Sequence, residues 1–351
     1  MAVEIYSTDT DSGQVSVIRK NGSEHQVVTR IPVGNAPRGS VKFTSDGRGF
    51  VCNTSTNTVS ELDALTHREI ARIQVGAGPR GMALVAGEKY LVVSNSGANT
   101  ISVVDLESRQ EITQVAVGRD PRHMAVDPSG DYVYVCVWGS GYIAVLDVSG
   151  LGRESQQSVR EVARIRIEEN AFPYSLNVDR QGLYALVACN AVEYVPVIDL
   201  TTREIVARVP VESDGARAIA FTPDNRYALV TLERTSNVAV ISMETFSVTR
   251  YIPVGPAPRG IAIDDNDETA YISAFSRNTV MRADVPHQPH SLTVLRLADA
   301  DLAVDGPVAF EEIRVGHGPC SVSVFDSEKV SIHATALDTA VRDLVNEATP
   351  A

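Results

Sequence analysis

One phrase of sequence recurs along this chain of 351 residues and constrains its fold more than any other feature. Its seven starts are mostly 42 to 44 residues apart, a spacing that indicates one supersecondary unit copied many times. In such a chain each unit packs on its neighbours, so no single large core is needed. The phrase is Val33-Gly34-x-x-Pro37-Arg38-Gly39, and further copies, some weaker, begin at Val75, Val117, Ile167, Val211, Val254 and Val315.

Each repeat contains the pattern of four short strands, as the second copy shows. Gly81–Val85 is an apolar strand a, Tyr90–Asn95 is strand b, and Thr100–Asp105 and Glu111–Val117 are strands c and d. The first strands are nearly continuous apolar runs, whereas the later ones alternate with period two. This gradient predicts a blade with buried inner strands and a half-exposed outer strand. Seven such units predict an all-β, seven-bladed β-propeller of four-stranded antiparallel blades.

The two ends of the repeat region are expected to build the last blade together. Val3–Thr8, Gln14–Lys20 and Gln26–Val33 match strands b, c and d, and Ser321–Phe325 matches strand a. Closure by both termini removes an open sheet edge that would otherwise invite aggregation. We therefore expect a propeller domain over residues 1–335, followed by a tail of residues 336–351 with a short amphipathic C-terminal helix.

The repeats carry a second signature within strands b and c. Phe50-Val51-Cys52-Asn53 is followed by Asn57-Thr58-Val59, and Tyr271-Ile272-Ser273-Ala274 is followed by Asn278-Thr279-Val280. Together with the V-G-x-x-P-x-G phrase, this pattern resembles the YVTN-repeat β-propellers over nearly the whole chain. The resemblance implies the seven-bladed fold. Related propellers include sugar lactonases and an antibiotic-cleaving lyase, and others are interaction scaffolds, so kinship of fold does not select an activity.

Arginine recurs at one position of the phrase, in the loop that joins strand d to strand a of the next blade. Propellers usually present their site on this face, around the central channel, where such arginines would form a cationic ring. Because arginine forks suit carboxylate or phosphate, the sequence predicts a site for a small anionic metabolite. The alternative is that each arginine pairs with an acid of an adjacent blade. The five are Arg38, Arg80, Arg122, Arg217 and Arg259, and the other two repeats have Tyr174 and Cys320.

Residues that break the repeat are the candidates for chemistry, because a symmetric ring must be broken to bind an asymmetric ligand. Glu193 and Glu233 replace small polar residues, and with His123 they are the expected general acid/base residues. The alternatives are solvated loop charges for the glutamates and a structural hydrogen bond for the histidine. The other residues expected to bind the ligand, aromatic walls included, are Trp138, Tyr174, Tyr194, Arg277 and His317.

Charge and missing motifs exclude several classes of function. A net charge of −13 disfavours binding to nucleic acids and anionic membranes. The sequence has no zinc-ligand spacing, P-loop, dinucleotide fingerprint or nucleophile elbow, so we expect no cofactor; a metal held by carboxylates alone stays open. The first residues enter strand pattern directly, without a signal-peptide pattern. We expect a soluble, cytoplasmic protein unless a leader has been removed.

Two insertions interrupt the period, at residues 149–160 and 285–307, and both are expected between strands c and d. Long loops of this kind are often contact surfaces, so they are the candidate surfaces for a protein partner. Two functions remain. One is a small-molecule site that catalyses redox-neutral acid/base chemistry of the lyase, cyclase or lactonase type. The other is a non-catalytic interaction scaffold. A closed polar pocket at the channel mouth would favour the first, and an open flat rim the second.

Overall fold

The computed structural model describes residues 3–152, 159–266, 268–275, 290–304, 306 and 308–330. It contains seven four-stranded antiparallel sheets arranged as the blades of a propeller, which confirms the predicted architecture. Strands a to d run outward from the channel in each blade. Contacts between the strands a of consecutive blades close the ring around the channel.

Blades one to six each use four consecutive strands, and blade seven combines strands from both ends of the chain. Blades one to three comprise β4 Pro37–Phe43, β5 Arg48–Asn53, β6 Thr58–Asp63, β7 Arg68–Gln74, β8 Pro79–Val85, β9 Tyr90–Asn95, β10 Thr100–Asp105, β11 Gln110–Ala116, β12 Pro121–Val126, β13 Tyr132–Val137, β14 Tyr142–Asp147 and β15 Arg160–Arg166. Blades four to six comprise β16 Pro173–Val178, β17 Tyr184–Cys189, β18 Tyr194–Asp199, β19 Glu204–Pro210, β20 Ala216–Phe221, β21 Tyr227–Leu232, β22 Asn237–Ser242, β23 Ser247–Pro253, β24 Pro258–Asp264, β25 Thr269–Ala274, β26 Ser291–Arg296 and β27 Phe310–Arg314. Short 3₁₀ turns cover Trp138–Ser140, Leu297–Asp299 and Ser327–Lys329.

Blade seven is closed as predicted. Its innermost strand is β28 Pro319–Asp326, which pairs with β1 Val3–Asp9, and β2 Gln14–Asn21 and β3 Glu24–Pro32 complete the sheet. The register of β1 on β28 runs through six regular pairs before a bulge at Thr8. Strand pairing thus joins sequence segments more than 300 residues apart.

Burial follows the gradient read from the sequence. In blade two every residue of strand b is buried, whereas strand d is largely exposed or half-buried. The apolar core lies between blades: Val92 and Val103 of blade two pack in one cluster with Val135 of blade three. Stability therefore depends on blade-to-blade packing, as expected for a repeat fold.

The first glycine of the repeated phrase is required by a close approach to strand b. A Cβ on Gly76 would lie 2.6 Å from Cγ of Asn95, a distance that real Cβ contacts do not reach. The Asn95 amide is fixed in turn, because its Nδ2 donates to Oγ1 of Thr100 and Oγ of Ser102 at 3.0 and 2.6 Å. The glycine of the repeated phrase and the asparagine at the end of strand b therefore pack directly against each other, as Gly76 and Asn95 show.

Replacing Gly76 by alanine should lower the free energy of unfolding by about 2–3 kcal/mol, because the added methyl group displaces a buried, hydrogen-bonded amide. Urea unfolding measures the change. Gly306→Ala is the matched control, since a Cβ there meets no atom within 4 Å. An equal, small effect of both substitutions would contradict the packing argument.

The structure corrects one strand assignment. In blade six, strand b pairs with Ser291–Arg296, so strand c is this segment. Asn278–Val280, which the signature placed in strand c, lies outside the described residues. The 285–307 insertion was therefore misplaced: it includes strand c instead of lying wholly between c and d. The 149–160 insertion does join strands c and d of its blade, β14 and β15. The predicted C-terminal helix lies outside the described residues, and within them no helix is long and apolar enough to cross a membrane.

Candidate functional site

Strand a is the inner strand of each blade, and its second residue lies at the mouth of the channel. These seven residues are called the mouth ring. The preceding residue is proline in six of the seven strands, which fixes the backbone where the loop enters the strand. The ring therefore presents one side chain per blade at the same level. Its members, in blade order, are Arg38, Arg80, Arg122, Tyr174, Arg217, Arg259 and Cys320.

Arg122 is held by its own loop and by aromatic rings. Its Nε and Nη2 donate to the two carboxylate oxygens of Asp120 at 3.1 and 2.8 Å. Its guanidinium lies 4.0 Å from the ring centre of Trp138 and 5.0 Å from that of Tyr174. Trp138 in turn stacks on Phe172 at 4.4 Å. Much of the surface that Trp138 was expected to offer a ligand is thus used to pack Arg122.

A single carboxylate neutralises the next two arginines. Arg259 donates from Nε to Oε1 of Glu233 at 2.8 Å, and Arg217 binds the other oxygen of the same carboxylate. Arg217 also donates to Oδ1 of Asn190 at 3.1 Å. Glu233 was expected to act as a general acid or base. In the structure its carboxylate is shared by two guanidinium groups, an arrangement that suits an ion-pair role between blades five and six.

Arg38 and Arg80 differ from the other three arginines. No carboxylate among the described residues forms an ion pair with either, and the buried Nε atom of each lacks a hydrogen-bond acceptor. Burial lowers the pKa of Arg80, and the charges of Arg122 and Arg38 act in the same direction. The ring therefore has an uncompensated positive side at blades one and two. Ion pairing, within a loop, within a blade or between blades, explains three arginines and leaves these two available for an anion.

His123 follows Arg122 on the inner strand of blade three and reaches toward blade one. A Cβ on Gly39 would lie 3.6 Å from Cε1 of His123, so the imidazole lies within contact distance of β4. The ring of His123 also lies 5.2 Å from that of Tyr174. Burial lowers the pKa of His123 to about 3, and four nearby positive charges contribute to the shift. These are, in order, Arg80, Arg122, Lys42 and Arg38.

Cys320 occupies the mouth-ring position between Arg259 and Arg38. Burial alone would raise the pKa of its thiol, but the charges of Arg38 and Arg259, with hydrogen bonds from Thr10 and Arg259, lower it instead. The lowered pKa of this thiol thus reflects the positive potential at this side of the mouth.

A cavity of about 690 Å³ fills the central channel, a size typical of small-molecule sites. Tyr174 and Cys320 line its upper end, and Lys42 lines its wall. At its lower end Arg180 of blade four donates from Nη1 to Asp265 of blade six at 2.9 Å, across the turn of blade five. Among the described residues, no three His, Cys, Asp or Glu side chains are grouped as metal ligands would be.

Several predicted site residues lie away from the mouth ring. Glu193 is exposed, and its carbonyl oxygen accepts from the backbone N–H of Val211 next to the outer strand. The ring of Tyr194 lies under Arg208 of that strand. His317 is exposed in the loop before β28, with its ring 4.6 Å from that of His290. The structure does not bring these three to His123, and Arg277 lies outside the described residues.

Three residues of the site were missed from the sequence. Asn190 lies in a loop where the repeats vary, whereas Asp120 could have been found as the one charged residue at its position of the repeated phrase. Lys42 could have been found, because it is a charged residue at a position where the other six inner strands are apolar. These six residues are Leu84, Val126, Val178, Phe221, Ile263 and Val324.

Solved structures of related shape confirm the fold. A putative 6-phosphogluconolactonase from Bacteroides fragilis is 14% identical with a TM-score of 0.77, over 93% of this chain and 98% of that one. The periplasmic gluconolactonase of Pseudomonas aeruginosa is 13% identical with a TM-score of 0.77, over 93% and 99%. Hydrazine synthase of Kuenenia stuttgartiensis is 21% identical with a TM-score of 0.68, over 84% and 97%. At such identities the likeness shows the fold alone.

Sequence comparison goes further. The uncharacterized protein YncE of Salmonella typhimurium is 25% identical over 108 residues, which are 31% of this chain and only 30% of that relative. The family described as "Lactonase, 7-bladed beta-propeller" matches residues 51–152 and 113–302. These matches together cover well over half of the chain. The chain therefore belongs to the seven-bladed β-propeller lactonase family.

Proposed function

We propose that this propeller binds a small lactone carrying a carboxylate or phosphate group at its channel mouth and opens the ring by hydrolysis. The observation that carries the proposal is the pair Arg38 and Arg80, two mouth-ring cations without an ion-pair partner among the described residues. Tyr174 and Cys320 of the same ring line the cavity of about 690 Å³. Family membership and the likeness to a putative 6-phosphogluconolactonase and a gluconolactonase support the reaction class. The repeated Val-Gly-x-x-Pro phrase, with Phe50-Val51-Cys52-Asn53 followed by Asn57-Thr58-Val59, supports a YVTN-type branch of the family.

His123 is the base in this proposal, and the ligand itself activates it. In the free protein burial, together with the surrounding positive charges, keeps the imidazole neutral but weakly basic. An anion between Arg38 and Arg80 offsets part of that potential, so the pKa of His123 rises when substrate binds. His123 then accepts a proton from the attacking water and returns it to the ring oxygen as the carbon–oxygen bond breaks. The products are a hydroxyl group and a carboxylic acid, which loses its proton to solvent and becomes a carboxylate.

The pH dependence of hydrolysis tests this role. Because a base acts in its neutral form and the free His123 pKa is about 3, kcat/KM should stay level from pH 8 down to about pH 5. The acid limb of kcat should lie at higher pH than that of kcat/KM, because the bound anion raises the His123 pKa. His123→Gln should abolish the acid limb together with most of the activity. A limb of kcat/KM near pH 6.5 would contradict the assignment.

Substrate class is tested by a matched pair, glucono-δ-lactone and its 6-phosphate, with proton release followed by stopped-flow. The phosphorylated lactone should be hydrolysed faster, and Arg80→Met should remove the preference. Arg226→Met is the control, because that arginine is exposed on the opposite face. Phosphate binding without hydrolysis would leave a non-catalytic binding protein. The absence of both binding and hydrolysis would favour an interaction scaffold, and residues 149–160 and 285–307 would then be the first surfaces to test.

A further inference from the structure

Lys42 is the one lysine that lines the channel cavity in the described structure. The chain has only four lysines, against 27 arginines, so most of its basic residues are arginines and a lysine on an inner strand is unusual for this protein. Lys20 is paired with Asp264 at 2.9 Å, and Lys89 is exposed. The fourth is Lys329.

The backbone of β4 is irregular next to Lys42. Between the pairs Arg38–Cys52 and Lys42–Phe50, three residues of β4 lie opposite one residue of β5. In blade two, for comparison, only two residues of β8 lie opposite one of β9. A bulge of this kind re-aims side chains and occurs often beside active sites. The bulge also brings Arg38 and Lys42 closer together along the sheet. Their partners on β5, Cys52 and Phe50, are only two residues apart, which corresponds to roughly 7 Å.

The ammonium group of Lys42 has no carboxylate or hydrogen-bond partner among the described residues. Burial alone accounts for the lowered pKa of this amine. A lysine that is desolvated in this way is neutral for a larger fraction of the time near pH 7, and the neutral amine is a nucleophile toward carbonyl carbon.

We propose that Lys42 forms an imine with the aldehyde or ketone group of a small oxo acid whose anionic group lies between Arg38 and Arg80. The inference uses the anion site of the proposed lactonase but concerns a different reaction. The Nζ lone pair attacks the carbonyl carbon, and the carbonyl oxygen leaves as water with the two amine protons. His123, which lies beside β4 at Gly39, can carry these protons from nitrogen to oxygen.

Reductive trapping of the whole protein tests the proposal. Succinic semialdehyde, which has a carboxylate and an aldehyde, is added with cyanoborohydride at pH 7, and lysine-containing peptides are quantified by mass spectrometry. Lys42 should be modified at least tenfold faster than the exposed Lys89. Butanal, the matched aldehyde without the carboxylate, should lose this selectivity. Equal rates at the two lysines with succinic semialdehyde would overturn the inference.

Variants separate imine formation from simple charge. Lys42→Arg keeps the positive charge and should abolish the channel adduct while the Lys89 adduct persists. If this variant folds poorly, peptide mapping of the reacted wild-type protein identifies the modified lysine directly. Arg80→Met should slow the reaction of Lys42 with succinic semialdehyde but not with butanal. Inorganic phosphate binding is measured in parallel. If the wild-type protein binds phosphate but forms no Lys42 adduct, only the imine is refuted. If the wild-type protein does not bind phosphate, the anion site of the proposed function is refuted.

Discussion

Replacing Arg38 and Arg80 together by methionine should weaken the binding of inorganic phosphate by roughly 100-fold or more. Each arginine is expected to donate charge-assisted hydrogen bonds to the anion, and loss of about 3 kcal/mol in total corresponds to that factor. Stability should be unchanged or higher, because the double variant removes two repelling cations whose buried Nε atoms lack acceptors. Isothermal titration calorimetry and urea unfolding measure the two effects.

Arg122→Met provides the comparison within the same ring. This arginine already has Asp120 as its partner and packs on Trp138, so its loss should cost about 1–2 kcal/mol of stability. Phosphate affinity should fall only a few-fold. The reverse pattern, with binding lost in Arg122→Met and kept in the double variant, would move the anion site away from blades one and two.

Glu233→Gln should have the largest effect on stability of any single change at the mouth. The substitution leaves Arg217 and Arg259 as two enclosed cations without a shared anion, and such a loss typically costs about 3 kcal/mol or more. The same change should strengthen phosphate binding, because it creates a second uncompensated pair of arginines. Added phosphate should then restore part of the lost stability.

The control for Glu233→Gln is Asp224→Asn, which removes the partner of Arg226 in an exposed pair. That change should cost less than about 1 kcal/mol, as surface ion pairs contribute little. If both substitutions cost the same small amount, the Glu233 bridge does not hold blades five and six together. A fall in phosphate affinity in Glu233→Gln would show that the carboxylate has a direct part in binding.

The fold could be predicted because its determinants are local and repeated. Glycine, proline and alternating apolar residues recur in each unit, so even the closure of blade seven followed from the offset of the phrase. Blade six shows the limit. Asn278–Val280 carries the family signature, but Ser291–Arg296 is the segment that pairs with strand b, with Leu292 and Val294 buried. Pairing depends on which apolar faces are buried, and a short signature does not determine that.

The candidate site was predicted only in part, because its charge balance is set by contacts between blades. The sequence placed five arginines at one level, but it could not show that Glu233 reaches both Arg217 and Arg259 from the b–c loop of blade five. Nor could it show that Asp120 turns back onto Arg122. These contacts determine which arginines are available to a ligand. The lowered pKa of His123 could not be predicted either, because it follows from burial in the folded channel and from the nearby arginine charges.

The distribution of partners around the mouth ring gives the opening a transverse electric dipole. Tyr174 and Cys320 divide the ring into an arc of three arginines and an arc of two. The shorter arc shares Glu233, while the longer has only Asp120, so positive potential is concentrated on one side. An approaching anion is therefore rotated as well as attracted, and its uncharged end turns toward blades five and six before any contact forms. The sevenfold scaffold thus presents a single preferred direction to its ligand.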